Sequence, residues 1–109
     1  MYKYKYEDLY YILYDIETNT ELHRSEEIAV AFTTAPNGMM WTMHKHGPPE
    51  LVNRWARIAR SKYIEDGLND IAKELVVIEG KFPVEEINKI IEISGYIKKF
   101  CKQFGYEAI

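Results

Sequence analysis

The sequence predicts an α+β fold in which an antiparallel sheet is followed by three helices packed on one face of that sheet. Residues 1–47 carry short aromatic and β-branched runs of the kind that form strands. After Gly47-Pro48-Pro49, apolar residues instead recur at a spacing of three and four, which is the period of a helix. With 109 residues and no internal repeat or low-complexity linker, we expect one domain over residues 1–109, with a β-rich half (1–47) and a helical half (48–109).

The N-terminal half predicts a three-stranded antiparallel meander. Tyr2, Tyr4 and Tyr6 alternate with lysines, which is the period of a strand. Residues 9–16 and 28–34 are dense apolar runs of the kind that form buried strands, with a turn over 17–20. Asn37-Gly38 is a strong hairpin signal and leads into residues 39–46. Two alternatives remain open, namely a short helix over residues 6–14 and a helix over residues 25–31 that Ser25 would cap.

The C-terminal half predicts helices over residues 49–65, 68–77 and 83–104. In the first, a proline begins the helix and Asp66-Gly67 ends it. Its apolar residues fall on one arc, which we expect to face the core: Leu51, Val52, Trp55, Ala56, Ile58, Ala59 and Tyr63. The third helix has the widest apolar arc, so we expect it to be the most buried, with a kink or break at Ser94-Gly95.

Composition excludes several classes of protein. The chain has one cysteine, Cys101, so it has no internal disulfide. No segment approaches the roughly 20 apolar residues that cross a bilayer, and the N-terminus lacks the apolar region of a signal peptide. We therefore expect a cytoplasmic protein with no membrane partner.

Positive charge is concentrated in residues 39–64, although the chain as a whole has a net charge of −3. This window holds five of the fourteen Lys and Arg residues and both Trp, and its only acid is Glu50. Arg54, Arg57 and Arg60 form a row on the helix face opposite the apolar arc. Guanidinium groups match phosphate or carboxylate oxygens. The predicted surface for an anion or an acidic partner comprises Arg54, Arg57, Arg60, Lys45, His44, His46 and Trp41.

Two further groups of residues suggest sites. Tyr2, Tyr4 and Tyr6 share one strand face and would form either an aromatic binding face or part of the core. His44 and His46 form a His-x-His pair that would share a face on a strand, but no further ligand stands at a diagnostic spacing. We expect no metal and no cofactor.

Catalytic motifs do not emerge from the sequence. It lacks a nucleophile elbow, a Walker loop and a glycine-rich dinucleotide turn. The acids between residues 15 and 27 lie on predicted turns, where solvated carboxylates are common. Cys101 lies on an apolar arc, as a small buried residue would. We assign no catalytic residue and expect a protein that is not an enzyme.

The leading hypothesis is a small non-catalytic binding or regulatory protein that acts through contacts with another macromolecule, with a protein as the favoured partner, as an inhibitor or adaptor does. Phages and mobile elements encode regulators of this kind. The first alternative is a nucleic-acid or nucleotide-binding module that uses the Arg-rich helix face, although the negative net charge argues against it. A weaker alternative is a metal-dependent hydrolase. A homodimer through the Tyr face or an edge strand is a further option.

Overall fold

The computed structural model describes residues 1–34, 41–93 and 95–105. The chain forms two small antiparallel sheets and, in these residues, four helices. Along the chain the elements are β1 (Tyr2–Glu7), β2 (Tyr10–Asp15), β3 (Glu21–Ser25), β4 (Ile28–Thr33), β5 (Thr42–Gly47), α1 (Pro49–Glu65), α2 (Asn69–Glu74), β6 (Leu75–Gly80), α3 (Val84–Glu92) and α4 (Tyr96–Gln103). The predicted α+β class is confirmed, with four helices in place of three.

The first sheet has the order β1-β2-β3, so the predicted N-terminal three-stranded antiparallel sheet is present. Its third strand is β3, and a strand over Glu21–Ser25 was not predicted from the sequence. Asp8 and Leu9 join β1 to β2 with positive φ angles of 52° and 70°, as the central residues of a type I′ turn have. This turn and the strands on either side of it exclude the alternative helix over residues 6–14.

The second sheet has the order β5-β4-β6. Residues 28–33 form its central strand, which excludes the alternative helix over 25–31. The predicted Asn37-Gly38 turn and the Met39-Met40 part of the next strand lie outside the described residues. The prediction of a helix over 68–77 is wrong beyond Glu74, because residues 75–80 pair with β4 along its whole length. The β-branched Val76-Val77-Ile78 run suits a strand, and pairing with β4 supplies the partner that a strand requires.

The strand β4 separates two groups of core residues. On one face, the small side chains of Ala29 and Ala31 pack against Val52 and Ala56 of α1. On the other face, Val30 and its neighbours pack against the first sheet, α3 and α4. The larger cluster includes Tyr4, Tyr11, Leu13, Ile28, Val30, Phe32, Ile78, Phe82, Ile87, Ile90, Ile97, Phe100 and Cys101.

The predicted third helix is divided into α3 and α4. Gly95 precedes α4 with a φ of 81°, a conformation that glycine adopts without a steric penalty. The break therefore falls where the sequence predicted it, although Ser94 itself is outside the described residues. Both pieces contribute to the core through Ile87, Ile97 and Phe100.

The side chain of Asn88 on α3 fixes this helix against the first sheet. Its amide oxygen accepts a hydrogen bond from the Tyr4 N–H at 2.8 Å, and its amide nitrogen donates to the Tyr4 carbonyl at 3.0 Å. Asn88 thus makes the two bonds that a neighbouring strand would make to Tyr4, and it occupies the outer edge of β1 at that residue.

Candidate functional site

The solvent-facing side of α1 combines exposed aliphatic and cationic side chains. This outer α1 face consists of Leu51, Arg54, Arg57, Ile58, Ser61 and Lys62. All six residues are exposed, and Ile58 is 64% accessible. The prediction that Leu51 and Ile58 face the core is wrong. Because α1 packs on the small residues Ala29 and Ala31, it buries a narrow arc around Val52 and Ala56.

Arg54 and Arg57 have no ionic partner on this face. None of the ion pairs among residues 1–34, 41–93 and 95–105 includes either of them. Lys62 is paired with Asp66 at 3.3 Å. Arg54, Arg57 and Ile58 line one shallow groove, and its other lining residues are Ser61, Lys62 and Glu65. Two arginines that have no ion-pair partner among the described residues therefore share this groove with an exposed aliphatic side chain.

Arg60 does not lie on the outer α1 face with Arg54 and Arg57, contrary to the predicted row. It is half-buried, and its Nη2 donates to the carbonyl of Leu75 at the start of β6, at 3.2 Å. It lines a separate depression with Ile64, Asn69, Ala72 and Lys73. The spacing of three along the helix drifts around its axis, which carries Arg60 towards the second sheet.

A register shift in β5 separates the two histidines of the His-x-His pair. The pairing of β4 with β5 changes between Ala31 and Phe32, and His44 lies in the resulting bulge. Its Nε2 is 2.8 Å from Thr33 Oγ1, and its ring stacks on Trp55 of α1 at 6.1 Å. His46 contacts β1 on the opposite side. The expectation that both imidazoles share a face is wrong.

His46 belongs to a buried polar cluster. Its Nδ1 is 2.7 Å from the Tyr4 hydroxyl, and its ring meets the Tyr4 ring edge-on at 5.3 Å. Burial, followed by the nearby His23 and Lys45, lowers the pKa of His46 to about 4. Burial also lowers the pKa of His23 and raises that of Tyr4 above its ordinary range. All three side chains are therefore neutral at pH 7, and His46 adds no charge to an anion-binding surface.

The structure separates the three tyrosines of the predicted aromatic face. Tyr4 is only 3% exposed and belongs to the core, whereas Tyr2 and Tyr6 are about half exposed. Tyr6 packs on Tyr11, while Tyr2 lines a concavity together with His23 and His46. No continuous face of three rings is formed.

Trp41 stands apart from the arginines. It is half-buried and stacks on Phe32 at 5.8 Å, with the ring planes 12° apart. It packs against the larger core cluster, which lies on the side of β4 away from α1. Trp55 is also half-buried, at the edge of the smaller cluster, so it covers the core rather than filling it.

His44, Lys45 and His46 of β5 line a cleft between β3 and β5. This β3–β5 cleft has a volume of about 430 Å³ and is lined by Tyr2, Leu13, Leu22, His23, His44, Lys45, His46, Pro48 and Leu51. It joins the outer α1 face at Leu51, but Arg54 and Arg57 line a different concavity. The predicted basic surface is thus divided, since its β5 residues line the cleft whereas Arg54 and Arg57 lie on the outer α1 face. Leu51 belongs to both the cleft and this face.

The β3 side of this cleft was not predicted from the sequence. Leu22 and His23 follow a predicted turn, which was a signal for a second strand of a hairpin. Nothing in the sequence placed that strand beside β5, because the two belong to different sheets.

The described residues contain no group of three or more His, Cys, Asp or Glu placed to hold a metal ion. Burial raises the pKa of the Cys101 thiol to about 11, so this side chain is protonated at neutral pH. Within the described residues, no helix is both long and apolar enough to cross a membrane.

Comparison of the chain with protein-family models, with curated proteins and with solved structures finds no significant match in any of the three. We therefore infer its function from the positions and chemistry of its own side chains.

Proposed function

We propose that this chain is a small non-catalytic binding protein whose outer α1 face docks on an acidic patch of another protein. The observation that carries the proposal is the position of Ile58. It is largely exposed and lines one groove with Arg54 and Arg57, neither of which has an acidic partner among the described residues. Protein interfaces typically combine apolar contacts with arginine in this way.

The charges on this face favour a protein over a nucleic acid. Arg60 donates to the protein backbone, Lys62 is paired with Asp66, and His46 is neutral. Two free guanidinium groups remain on this face, fewer than the roughly six to ten phosphate contacts that give a DNA-binding protein its steep salt dependence. The exposed side chains of Leu51 and Ile58 also favour a protein partner. Apolar side chains of a protein can pack against them, whereas a phosphate backbone offers them little contact.

Two variants that each introduce one carboxylate test the proposal. Ile58→Glu places a charge in the centre of the outer α1 face, beside the acidic patch of the partner. Leu9→Glu makes the same change at an exposed position on the β1–β2 turn, 74% accessible and outside the face. The wild type and each variant are immobilised and incubated with an extract of the source cell, with and without nuclease treatment, and the retained proteins are quantified by mass spectrometry.

We expect one protein to be retained by the wild type and by Leu9→Glu, and to be reduced about tenfold or more by Ile58→Glu. Equal retention by Ile58→Glu and Leu9→Glu would contradict the proposal. If retention disappears after nuclease treatment of the wild-type sample, the face binds nucleic acid instead and the proposal fails.

A further inference from the structure

The depression that Arg60 lines lies where α1 meets α2, and it is distinct from the groove on the outer α1 face. This α1–α2 depression has a volume of about 390 Å³ and is lined by Arg60, Ile64, Asn69, Ala72 and Lys73. Arg60 and Ile64 are four residues apart on α1, as Asn69 and Lys73 are on α2, so each pair lies on one side of its helix. The depression therefore combines two cationic side chains, an amide and an isoleucine that is 57% exposed.

Arg60 is half-buried and has no acidic partner. Its Nη2 donates to the carbonyl of Leu75 at 3.2 Å, and none of the ion pairs within residues 1–34, 41–93 and 95–105 includes it. The bond to Leu75, which is a buried residue of β6, holds the guanidinium group in place and leaves most of its N–H donors for another acceptor. Because partial burial of a charge without a counter-ion is unfavourable, a bound anion would offset this cost.

Lys73 supplies a second positive charge to the same depression. Its side chain is exposed, and no ion pair among the described residues includes it. The neighbouring acids of α2, Asp70 and Glu74, are not lining residues, and no ion pair joins either of them to Arg60 or Lys73. The lining residues therefore carry two positive charges and no negative charge.

These side chains match a phosphate group better than a carboxylate. Arg60 presents a planar fork of donors, Lys73 adds an ammonium group, and the Asn69 amide adds further N–H donors. A phosphate monoester has three strong acceptor oxygens, which can accept from all three side chains, whereas a carboxylate has two oxygens in one plane. The exposed side chain of Ile64 would contact an apolar substituent of the ester.

We propose that the α1–α2 depression binds a small organic phosphate monoester, with Arg60 and Lys73 holding the phosphate group and Ile64 contacting the organic part. The volume of about 390 Å³ is near the lower end of the roughly 300–1,000 Å³ of small-molecule sites, which suits a phosphate group with one ring-sized substituent. The site lies outside the outer α1 face and does not depend on the protein partner proposed above.

The test titrates phenyl phosphate into the ¹⁵N-labelled full chain, with NMR detection and a constant ionic strength of about 0.05 M, at which charges are screened less than at 0.15 M. We expect saturable shifts at the backbone amides of residues 60, 64, 69 and 73, with a Kd on the order of 1 mM. Phenol has the ring without the phosphate group and should give no saturable shift there. Inorganic phosphate should bind more weakly, because it lacks the ring. Shifts confined to other residues, or no saturable shifts, would overturn the inference.

Matched variants separate specific binding from general attraction. Arg60→Gln and Lys73→Gln each remove one charge from the depression and should raise the Kd for phenyl phosphate about tenfold and about threefold. Their controls, Arg57→Gln on the outer α1 face and Lys98→Gln on α4, remove one charge elsewhere and should leave the Kd unaltered. If Arg60→Gln does not fold because it loses the bond to Leu75, the exposed pair Lys73→Gln and Lys98→Gln decides the outcome. An equal Kd in a variant and its control would overturn the inference.

A phosphate monoester can be a free small molecule or a phosphorylated side chain of a protein. A titration with the peptide acetyl-Gly-phosphotyrosine-Gly-amide distinguishes these two sources, because the peptide carries the same aryl phosphate. We expect the peptide to bind no more tightly than phenyl phosphate, since the small depression offers the flanking residues little further contact. Binding of the peptide that is tenfold or more tighter would overturn the assignment of the ligand to a small molecule.

Discussion

Acid should destabilise this protein through His46 before its carboxylates are protonated. The imidazole is held 2.7 Å from the Tyr4 hydroxyl between the two sheets, with His23 and Lys45 as the charged or chargeable groups nearby. Its pKa falls from 6.5 to about 4 on folding, mainly because of burial. Between these values the unfolded chain binds a proton that the folded chain does not, so stability is complete above pH 6.5 and declines as the pH falls towards 4.

The magnitude follows from the two pKa values. At pH 5 the unfolded state gains a factor of about 30 in relative population from protonation of His46, which corresponds to about 2 kcal/mol of lost stability. The pKa of His23 is lowered in the same direction and adds to this loss. The pKa values of Glu21 and Glu86 are also lowered, chiefly by hydrogen bonds from Arg24 and Tyr96, so these carboxylates remain ionised at pH 5.

The variant His46→Asn tests this reasoning, because its side-chain amide can hydrogen-bond the Tyr4 hydroxyl in place of Nδ1 and does not titrate. Urea unfolding at pH 7.5 and pH 5 gives the free energy of unfolding of each protein. We expect the wild type to lose about 2 kcal/mol more than His46→Asn between these pH values. Equal losses in the two proteins would refute the assignment of the acid sensitivity to His46.

Three further stability predictions concern single side chains, each measured as a change in the free energy of unfolding in urea. Leu9→Gly should stabilise the protein by about 0.5–1 kcal/mol, because Leu9 holds a φ of 70° that glycine adopts more easily; a loss of stability would contradict this. Asn88→Asp should cost about 1–3 kcal/mol, since it leaves the Tyr4 carbonyl without its donor, and an unchanged midpoint would argue against a role for this contact. Trp55→Ala should cost about 2 kcal/mol, less than the roughly 3–5 kcal/mol of a buried tryptophan, because Trp55 is half-buried; a cost at either extreme would contradict its edge position.

Strands and helices could be predicted from the sequence where their own residues follow the period of that element and turn signals bound them. Residues 10–15 and 28–33 are apolar runs with turn signals on either side, and both form strands. Residues 75–80 are an element for which the local pattern predicts the wrong structure. Leu75 and Val76 continue a helical spacing from Leu68, yet pairing with β4 across more than forty residues makes them a strand.

The candidate site depended on features that a single sequence does not encode locally. The bulge that places His44 and His46 on opposite sides arises from the pairing of β5 with β4. The exposure of Ile58 follows from the small residues beneath α1, which belong to another element. The solvent-facing positions of Arg54 and Arg57 were predicted, since they depend only on the helix period.

The most direct test of the outer α1 face compares two charge reversals of equal size. Arg54→Glu with Arg57→Glu alters the face, and Lys98→Glu with Lys99→Glu makes the same change in net charge on α4, where both lysines are exposed. The measurement is the affinity of each variant for the purified partner at about 0.15 M salt, where charges beyond roughly 8 Å are screened. We predict that the arginine variant loses about tenfold or more in affinity while the lysine variant stays close to the wild type. Equal affinities of the two variants would contradict the assignment of the binding surface to α1.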